Sequence, residues 1–415
     1  MRRTPDVDDI AARRLHDDPQ ARQATPWGLL VLLMAATAIG PTSLNILVPA
    51  VPHLSRDLGA DIATLQLTLS LFLIGLGGAQ LVMGPLSDRF GRRPVLLGGL
   101  ALTALSSLVA IAMADATSLI LARVAQAIGA SAGIVVSRAI IRDLFDRNRA
   151  AAMFGLVATV MVVVPTFGPL IGGVLDTAYG WQSIFMFMFI ISLMVLIWAA
   201  VTLPETRGLN VPPGTQTGFL TDLGRLAANR AFWGYVLVAT LGSATFFAFL
   251  GGGPHVIVTL MGRSSAEYGI WFAIFSIGFM AGNFGASRLA SRHGIDRLIY
   301  WGIAAECLGV LVTTILAATA MDWGPAIVFM PQMIVSLGNG LLLPGAIAGA
   351  ASIRPQAAGT ASGITGCAQM VIGAAVTQFS GMLAAGAASA LPMALVMAAL
   401  AAALVATFLM LIPRR

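Results

Sequence analysis

The sequence contains no lysine: all 24 basic residues are arginines, against 18 acidic residues, and charged side chains make up only 10% of 415 positions. So little charge excludes a water-soluble globule, which draws on charged residues for about a quarter of its composition. Cysteine is nearly absent. Cys307 and Cys367 both fall inside long apolar runs, which excludes a disulfide framework or a thiolate metal site. The four histidines, His16, His53, His255 and His293, stand in a polar head, in loops or at the ends of apolar runs, so no metal site is expected. His53 and His255 are placed to titrate at one mouth of the molecule. Neither a phosphate-binding loop nor a catalytic triad has a candidate, so neither an enzyme nor a cofactor is expected. Residues 1–23 lack an apolar stretch and carry Asp6, Asp8, Asp9, Asp17 and Asp18 among five arginines. That pattern argues against a cleavable signal peptide and reads as a disordered tail.

What remains is apolar: 58% of residues are hydrophobic and the mean hydropathy is +0.88. Runs of about 20 residues, the length that crosses a hydrocarbon core of roughly 30 Å as a helix, recur with short polar breaks. The expected spans are 26–50, 64–84, 95–114, 118–141, 151–174, 182–203, 231–252, 270–288, 298–320, 325–349, 359–383 and 391–412. The expected fold is therefore an all-α membrane protein with twelve transmembrane helices and a lipid bilayer as its surroundings. With the N-terminus inside, twenty arginines, among them Arg89, Arg92, Arg93, Arg142, Arg147, Arg149, Arg292 and Arg297, fall on the cytoplasmic side. Only Arg56 and Arg263 fall outside, where Asp57, Asp61, Asp115, Asp176, Glu267 and Asp322 collect. This bias predicts cytoplasmic termini, and it accounts for the net charge of +6 without nucleic acid.

A gapless shift of 203 residues lays Leu71–Gly91 over Ile274–Gly294, matching Phe72 with Phe275, Ile74 with Ile277, Gly75 with Gly278, Leu86 with Leu289, Arg89 with Arg292 and Gly91 with Gly294. The second and eighth spans are thus counterparts. Two pseudo-symmetric six-helix bundles are expected at 26–203 and 231–412, joined by a cytoplasmic linker at 204–230 that holds Pro204, Pro212, Pro213 and Gly214. Residues 1–25 and 413–415 are the expected tails.

Three motifs carry chemistry. The loop after the second span reads Gly84-Pro-Leu-Ser-Asp88-Arg89-Phe-Gly91-Arg92-Arg93-Pro94; its glycines permit a tight turn, and Asp88 can pair with arginines and with a neighbouring helix N-terminus. A plain topology-setting basic loop is the alternative. In the fourth span, Arg123, Gln126, Gly129 and Gly133 put an arginine and an amide on one face and glycines on an adjoining one. A charge there must face a cavity or a partner, unless Arg123 snorkels to the surface. In the fifth span, Pro165-Thr-Phe-Gly168-Pro169-Leu-Ile-Gly172-Gly173 combines a kink with close helix approach. A bent packing helix is physically sufficient to explain it.

The loop resembles the signature of the major facilitator superfamily, the fourth-span segment resembles that family's R-x-x-Q-G-x-G motif with Ala127 in place of one glycine, and the fifth resembles its G-P-x-x-G-G antiporter motif. With Arg138-Ala-Ile-Ile-Arg142-Asp143 and Gly359-Thr-Ala-Ser-Gly363, the chain after residue 26 resembles the bicyclomycin/chloramphenicol-resistance type of drug:proton antiporter. The resemblance implies an alternating-access exporter of small drug-like molecules in a bacterial-type inner membrane, driven by protons. It also implies a gate at Gly84, Asp88, Arg89, Gly91, Arg92 and Arg93, and a proton-coupled role for Arg123. An exporter of a metabolite such as an amino acid, nucleoside or sugar is the alternative, and a non-transporting sensor or scaffold a further one.

One departure matters. Many members of that type carry an aspartate at the place of Asn45, and an amide cannot titrate. Glu306 is the only carboxylate expected deep in a span. The resemblance puts its helix at the periphery, which leaves a structural and a functional role equally open. Further candidates for the pathway are Phe246, Phe247 and Phe249 in the seventh span, Asn339 in the tenth and Gln369 in the eleventh. All of them equally suit helix packing.

Overall fold

A computed structural model describes residues 27–145, 153, 156–157, 167–206, 224–319, 324–354 and 357–412. Among them, eleven helices or helical stretches are long and apolar enough to cross a bilayer. In chain order the helices are α1 (Trp27–Ile46), α2 (Ile62–Phe90), α3 (Arg92–Ile111), α4 (Ala116–Leu144), α5 (167–179), α6 (Gln182–Thr202), α7 (Arg230–Pro254), α8 (Ser265–His293), α9 (Ile295–Thr319), α10 (Ala326–Ser352), α11 (Ala358–Ala385) and α12 (Leu391–Leu411). A 3-10 turn at Val48–Ala50 and a short helix at Val51–Asp57 prolong α1, and a π-helical turn at His255–Leu260 prolongs α7. Most of the first part of the expected fifth span, with Pro165, lies outside the described residues, as do the expected tails, Arg147, Arg149, Asp322 and most of the linker.

The helices wear leucines on their outside. Leu81, Val82, Leu105, Leu121, Met194, Val201, Leu311 and Met410 are all exposed, a surface that only hydrocarbon can solvate. Inward faces carry small and polar residues instead. Thr103, Ser107, Gln126, Ser131 and Ser137, for example, are buried along α3 and α4.

The repeat is visible in the backbone. Shifting by 203 residues carries α2, Ile62–Phe90, onto α8, Ser265–His293, helix end for helix end, and brings the first residue of α3 onto the first of α9. Each joint is a single glycine with positive φ, Gly91 at 106° and Gly294 at 77°, a region where a side chain would be strained. Antiparallel neighbours meet glycine to glycine in both halves. A Cβ on Gly99 of α3 would sit 2.7 Å from the Gly129 carbonyl oxygen of α4, and one on Gly302 of α9 would sit 2.6 Å from the Gly338 oxygen of α10.

The chain packs as two compact units. One comprises the described parts of Met1–Leu44, Gly75–Val164 and Gln182–Thr215; the other those of Asn45–Ile74, Pro165–Trp181 and Gln216–Arg415. At the end away from Gly91, then, the tips of α1 and α2 and all of α5 pack within the second unit.

Within α3, two adjacent glycines separate packing from propensity. A side chain on Gly98 meets nothing within 4 Å, whereas one on Gly99 runs into α4 backbone. Gly99→Leu is expected to lower stability by about 2 kcal/mol or more through overpacking, and Gly98→Leu to leave it unchanged. Thermal unfolding of the two purified variants checks this.

Candidate functional site

The turn between α2 and α3 is built around Arg92, an arginine that is only 4% exposed. Its Nε donates to Asp143 Oδ2 at 2.8 Å, its Nη1 donates to the Ser87 hydroxyl at 2.7 Å, and Asp88 Oδ1 stands 2.5 Å from Nη1. Asp143 is buried at the end of α4, while the Asp88 side chain is 57% exposed. The free N–H groups that open α3 are taken by Glu205, which accepts from the backbone of Arg92 at 2.8 Å and of Arg93 at 3.2 Å. Gly91 makes that possible, since a Cβ there would fall 2.5 Å from the Glu205 carboxylate. Arg93 Nη2 donates to the Ala200 carbonyl at 2.8 Å, and Arg89 lies over the Phe90 ring. A Cβ on Gly84 would lie 3.9 Å from a Val135 methyl. Asp88 thus pairs with an arginine as expected, but Glu205 caps α3. Neither Glu205 nor Asp143 was singled out in the sequence as part of this site. The signal was an acid one residue past Pro204, where the sixth span ends.

The second element is Arg123. Its snorkelling alternative is excluded: it is 1% exposed and ranks among the largest fully buried side chains. Asp115 caps α4 two turns earlier, accepting from the Ser118 N–H at 2.9 Å and hydroxyl at 2.6 Å, and these bonds hold its carboxyl below the usual carboxylate range. Arg123 Nη1 donates to Gln126 Oε1 one turn further on, Gln126 Nε2 donates to the Ser107 hydroxyl of α3 at 2.6 Å, and Ser107 donates to the Thr103 carbonyl at 2.7 Å. Every hydrogen in this line points one way, so the Gln126 amide is oriented to present its oxygen to the arginine. The Gly99–Gly129 approach brings α3 close enough for the line to form.

The second half repeats the framework without the charge. Gln332 of α10 donates to Thr313 of α9 at 3.2 Å, the counterpart of Gln126 and Ser107. One turn before Gln332, where α4 has Arg123, α10 has Phe329. Gln332 Oε1 accordingly has no hydrogen-bond partner among the described residues.

The fifth-span motif is a two-sided wedge. A Cβ on Gly168 would sit 3.0 Å from the Asn45 Cβ, and one on Gly172 would overlap the Ile46 carbonyl. On the other side, Gly173 faces the Ser265 backbone, and Gly269 of α8 faces Pro169. Asn45 is 2% exposed. The contact is reinforced by Ser265 donating to the Pro49 carbonyl at 2.9 Å, Gln66 to the Gly251 carbonyl at 2.7 Å and Gln378 to the Ala63 carbonyl at 2.7 Å. His53 Nδ1 and Asp176 Oδ2 stand 2.5 Å apart at the same end.

The remaining candidates lie in α7, α9, α10 and α11. Glu306 is fully buried, on the side of α9 that meets α10, and its Oε1 is 2.8 Å from the Thr245 hydroxyl of α7; Asn339 Nδ2 lies 3.4 Å from the same hydroxyl. Gln369 donates to Ser243 at 2.5 Å. Phe247 is buried against Gly373, and Phe249 sits in a cluster with Phe272, Phe275 and Phe329 while the half-buried Phe246 stacks on Phe275. An apolar groove of about 720 Å³ between α11 and α12, lined by Val376, Phe379, Leu383 and Leu395, contains none of these residues. Among the described residues no group of His, Cys, Asp and Glu is arranged to hold a metal ion.

Residues 33–377 match the Major Facilitator Superfamily, and the chain belongs to that superfamily. It is a multi-pass membrane transporter with the superfamily's all-α fold, not an enzyme. Multidrug resistance protein D of Escherichia coli (strain K12) is 31% identical over 362 residues, which cover 86% of this chain and 89% of that protein. The chloramphenicol resistance protein of Pseudomonas aeruginosa is 29% identical over 340 residues, covering 81% of this chain and 80% of that one. A crystal structure of a D-xylose–proton symporter superposes with a TM-score of 0.76 at 14% identity, covering 94% of this chain and 98% of that one. At that identity the likeness is one of fold alone.

Magnitudes separate the two acids of the α2–α3 turn. Asp143→Asn leaves a buried guanidinium without its buried carboxylate and is expected to cost about 3–5 kcal/mol. Asp88→Asn removes an exposed partner worth less than about 1 kcal/mol. Thermal unfolding of the purified variants measures the difference.

Proposed function

We propose that this chain exports small, mostly apolar drug-like molecules from a bacterial cell by alternating access, in exchange for protons. The observation that carries coupling is the buried guanidinium of Arg123 on its oriented line to Gln126 and Ser107. A charge buried in a span costs at least a few kcal/mol, an expense that packing alone gives no reason to bear. The drug class is supported by the two resistance proteins to which the chain is similar.

The proposed division of labour follows the repeat. Residues 26–203 and 231–412 are the two moving halves, 204–230 links them, and 1–25 and 413–415 are tails. Both termini are cytoplasmic, the protein sits in the inner membrane, and the Gly91 turn is then the inner gate, with Gly84, Asp88, Arg89, Arg92 and Arg93 as its parts. The wedge of Gly168, Pro169, Gly172 and Gly173 then closes the outer end, joining α1 to α8; Pro165 belongs to the same motif. Asn45, Gln126, Phe247, Asn339 and Gln369 line the path of substrate or proton.

Drug-susceptibility profiling of a sensitive host that overexpresses the chain tests the reading. Raised resistance to several unrelated apolar compounds is expected; a change confined to one amino acid, nucleoside or sugar would overturn it. Arg123→Ala is expected to abolish energised efflux while leaving insertion intact, and Arg123→Lys to impair it, because a point charge cannot reproduce the guanidinium fork. Wild-type efflux by the alanine variant in proteoliposomes would remove Arg123 from the mechanism.

A further inference from the structure

Proton exchange needs a group that titrates, and Asn45, against the α5 wedge, cannot. The contacts around Glu306 supply one. The Thr245 hydroxyl lies 2.8 Å from the Gly242 carbonyl and 2.8 Å from Glu306 Oε1, and the Asn339 amide nitrogen lies 3.4 Å away. A hydroxyl has one hydrogen and two lone pairs. The Gly242 carbonyl can only accept, so that contact uses the Thr245 hydrogen. Both short contacts are then made together when Glu306 donates a hydrogen of its own to Thr245. The second lone pair receives Asn339 Nδ2–H.

The rest of the pocket points the same way. Glu306 is 0% exposed, and its Oε2 and the Asn339 Oδ1 have no hydrogen-bond partner among the described residues. Against Glu306 itself stands Gly338, whose absent side chain lets α10 backbone approach. α10 and α12 carry no titratable residue. α7 carries Arg230 and Tyr235 near its start and is followed by His255, and α8 carries Glu267, Tyr268, Arg288, Arg292 and His293 toward its ends. On α9, Cys307 adjoins Glu306, while Asp296, Arg297 and Tyr300 lie at the start; Asp296 is bonded to Tyr235 and sits about 15 Å from Glu306 along the helix. Among the described residues no basic side chain stands within ion-pair distance of Glu306.

We propose that Glu306, with Thr245 and Asn339, is a proton-binding site within the C-terminal half, and that uptake and release of a proton on this carboxyl is the coupled step. The step is a simple exchange: the proton held between Glu306 and Thr245 leaves to water, and the carboxylate takes one back. Its coupling role rests on the antiport reading above. Proton binding stands without it.

Infrared difference spectra of the full-length protein in lipid, recorded across pH, are expected to show the carbonyl stretch of a protonated carboxyl that disappears on alkalinisation. The band should be lost in Glu306→Gln and kept, displaced, in Glu306→Asp. In proteoliposomes, Glu306→Gln should lose pH-gradient-driven accumulation of radiolabelled chloramphenicol at least tenfold while exchange without a gradient stays within about twofold. An unchanged band in Glu306→Gln, or one that never titrates in the wild type, overturns the site. Intact accumulation, or equal loss of accumulation and exchange, overturns its coupling role. A wild type that accumulates no chloramphenicol counts against the export reading, and the spectra still decide whether Glu306 binds the proton.

Discussion

Inside a bilayer the exterior of a protein is as apolar as its interior, so helices gain little by hiding leucines and must be drawn together by contact itself. Here that contact is glycine against backbone: Gly99 with Gly129, Gly302 with Gly338, Gly172 with Ile46. The polar groups depend on it. Gln126 reaches Ser107 because α3 and α4 touch at Gly129, and Glu306 lies beside Gly338 where α9 and α10 touch. With no water in the hydrocarbon, a wider gap would orphan each of these groups at a cost of several kcal/mol.

The two halves share this frame and differ in what they bury in it. The amide–hydroxyl pair recurs, Gln126 with Ser107 and Gln332 with Thr313. The cation does not: Phe329 stands where Arg123 does, and the Phe329 ring joins Phe249 and Tyr268 in an aromatic cluster. The C-terminal half instead buries an acid, Glu306, against the Thr245 hydroxyl of α7. The duplicated scaffold thus buries a different ionisable group in each half, a guanidinium at Arg123 and a carboxyl at Glu306, a difference that packing alone does not require.

The wedge of α5 makes one motif serve two contacts. Its glycines face α1 on one side and α8 on the other, so a helix of the first half is held against a helix of the second by backbone proximity and a few hydrogen bonds.

Eleven of the expected spans, the repeat at 203 residues and the superfamily were legible in the sequence because they rest on periodicity and on local motifs: a run of about 20 apolar residues is a helix wherever it lies, and Gly91 and Gly294 repeat a turn that only glycine adopts easily. The burial of Arg123, the capping of α3 by Glu205 and the surroundings of Glu306 were not legible there. Arg92 and Glu205 are 113 residues apart, and Thr245 and Glu306 are 61 apart. A helix placed at the periphery by resemblance can still turn one side chain inward, and only its rotation against α7 and α10 decides that. Which segments are helices and which family they compose follow from residues near one another in the chain. Which polar atom meets which was decided by tertiary structure alone, because each partner arrives on a different helix and the depth of contact is set by glycines elsewhere in the chain.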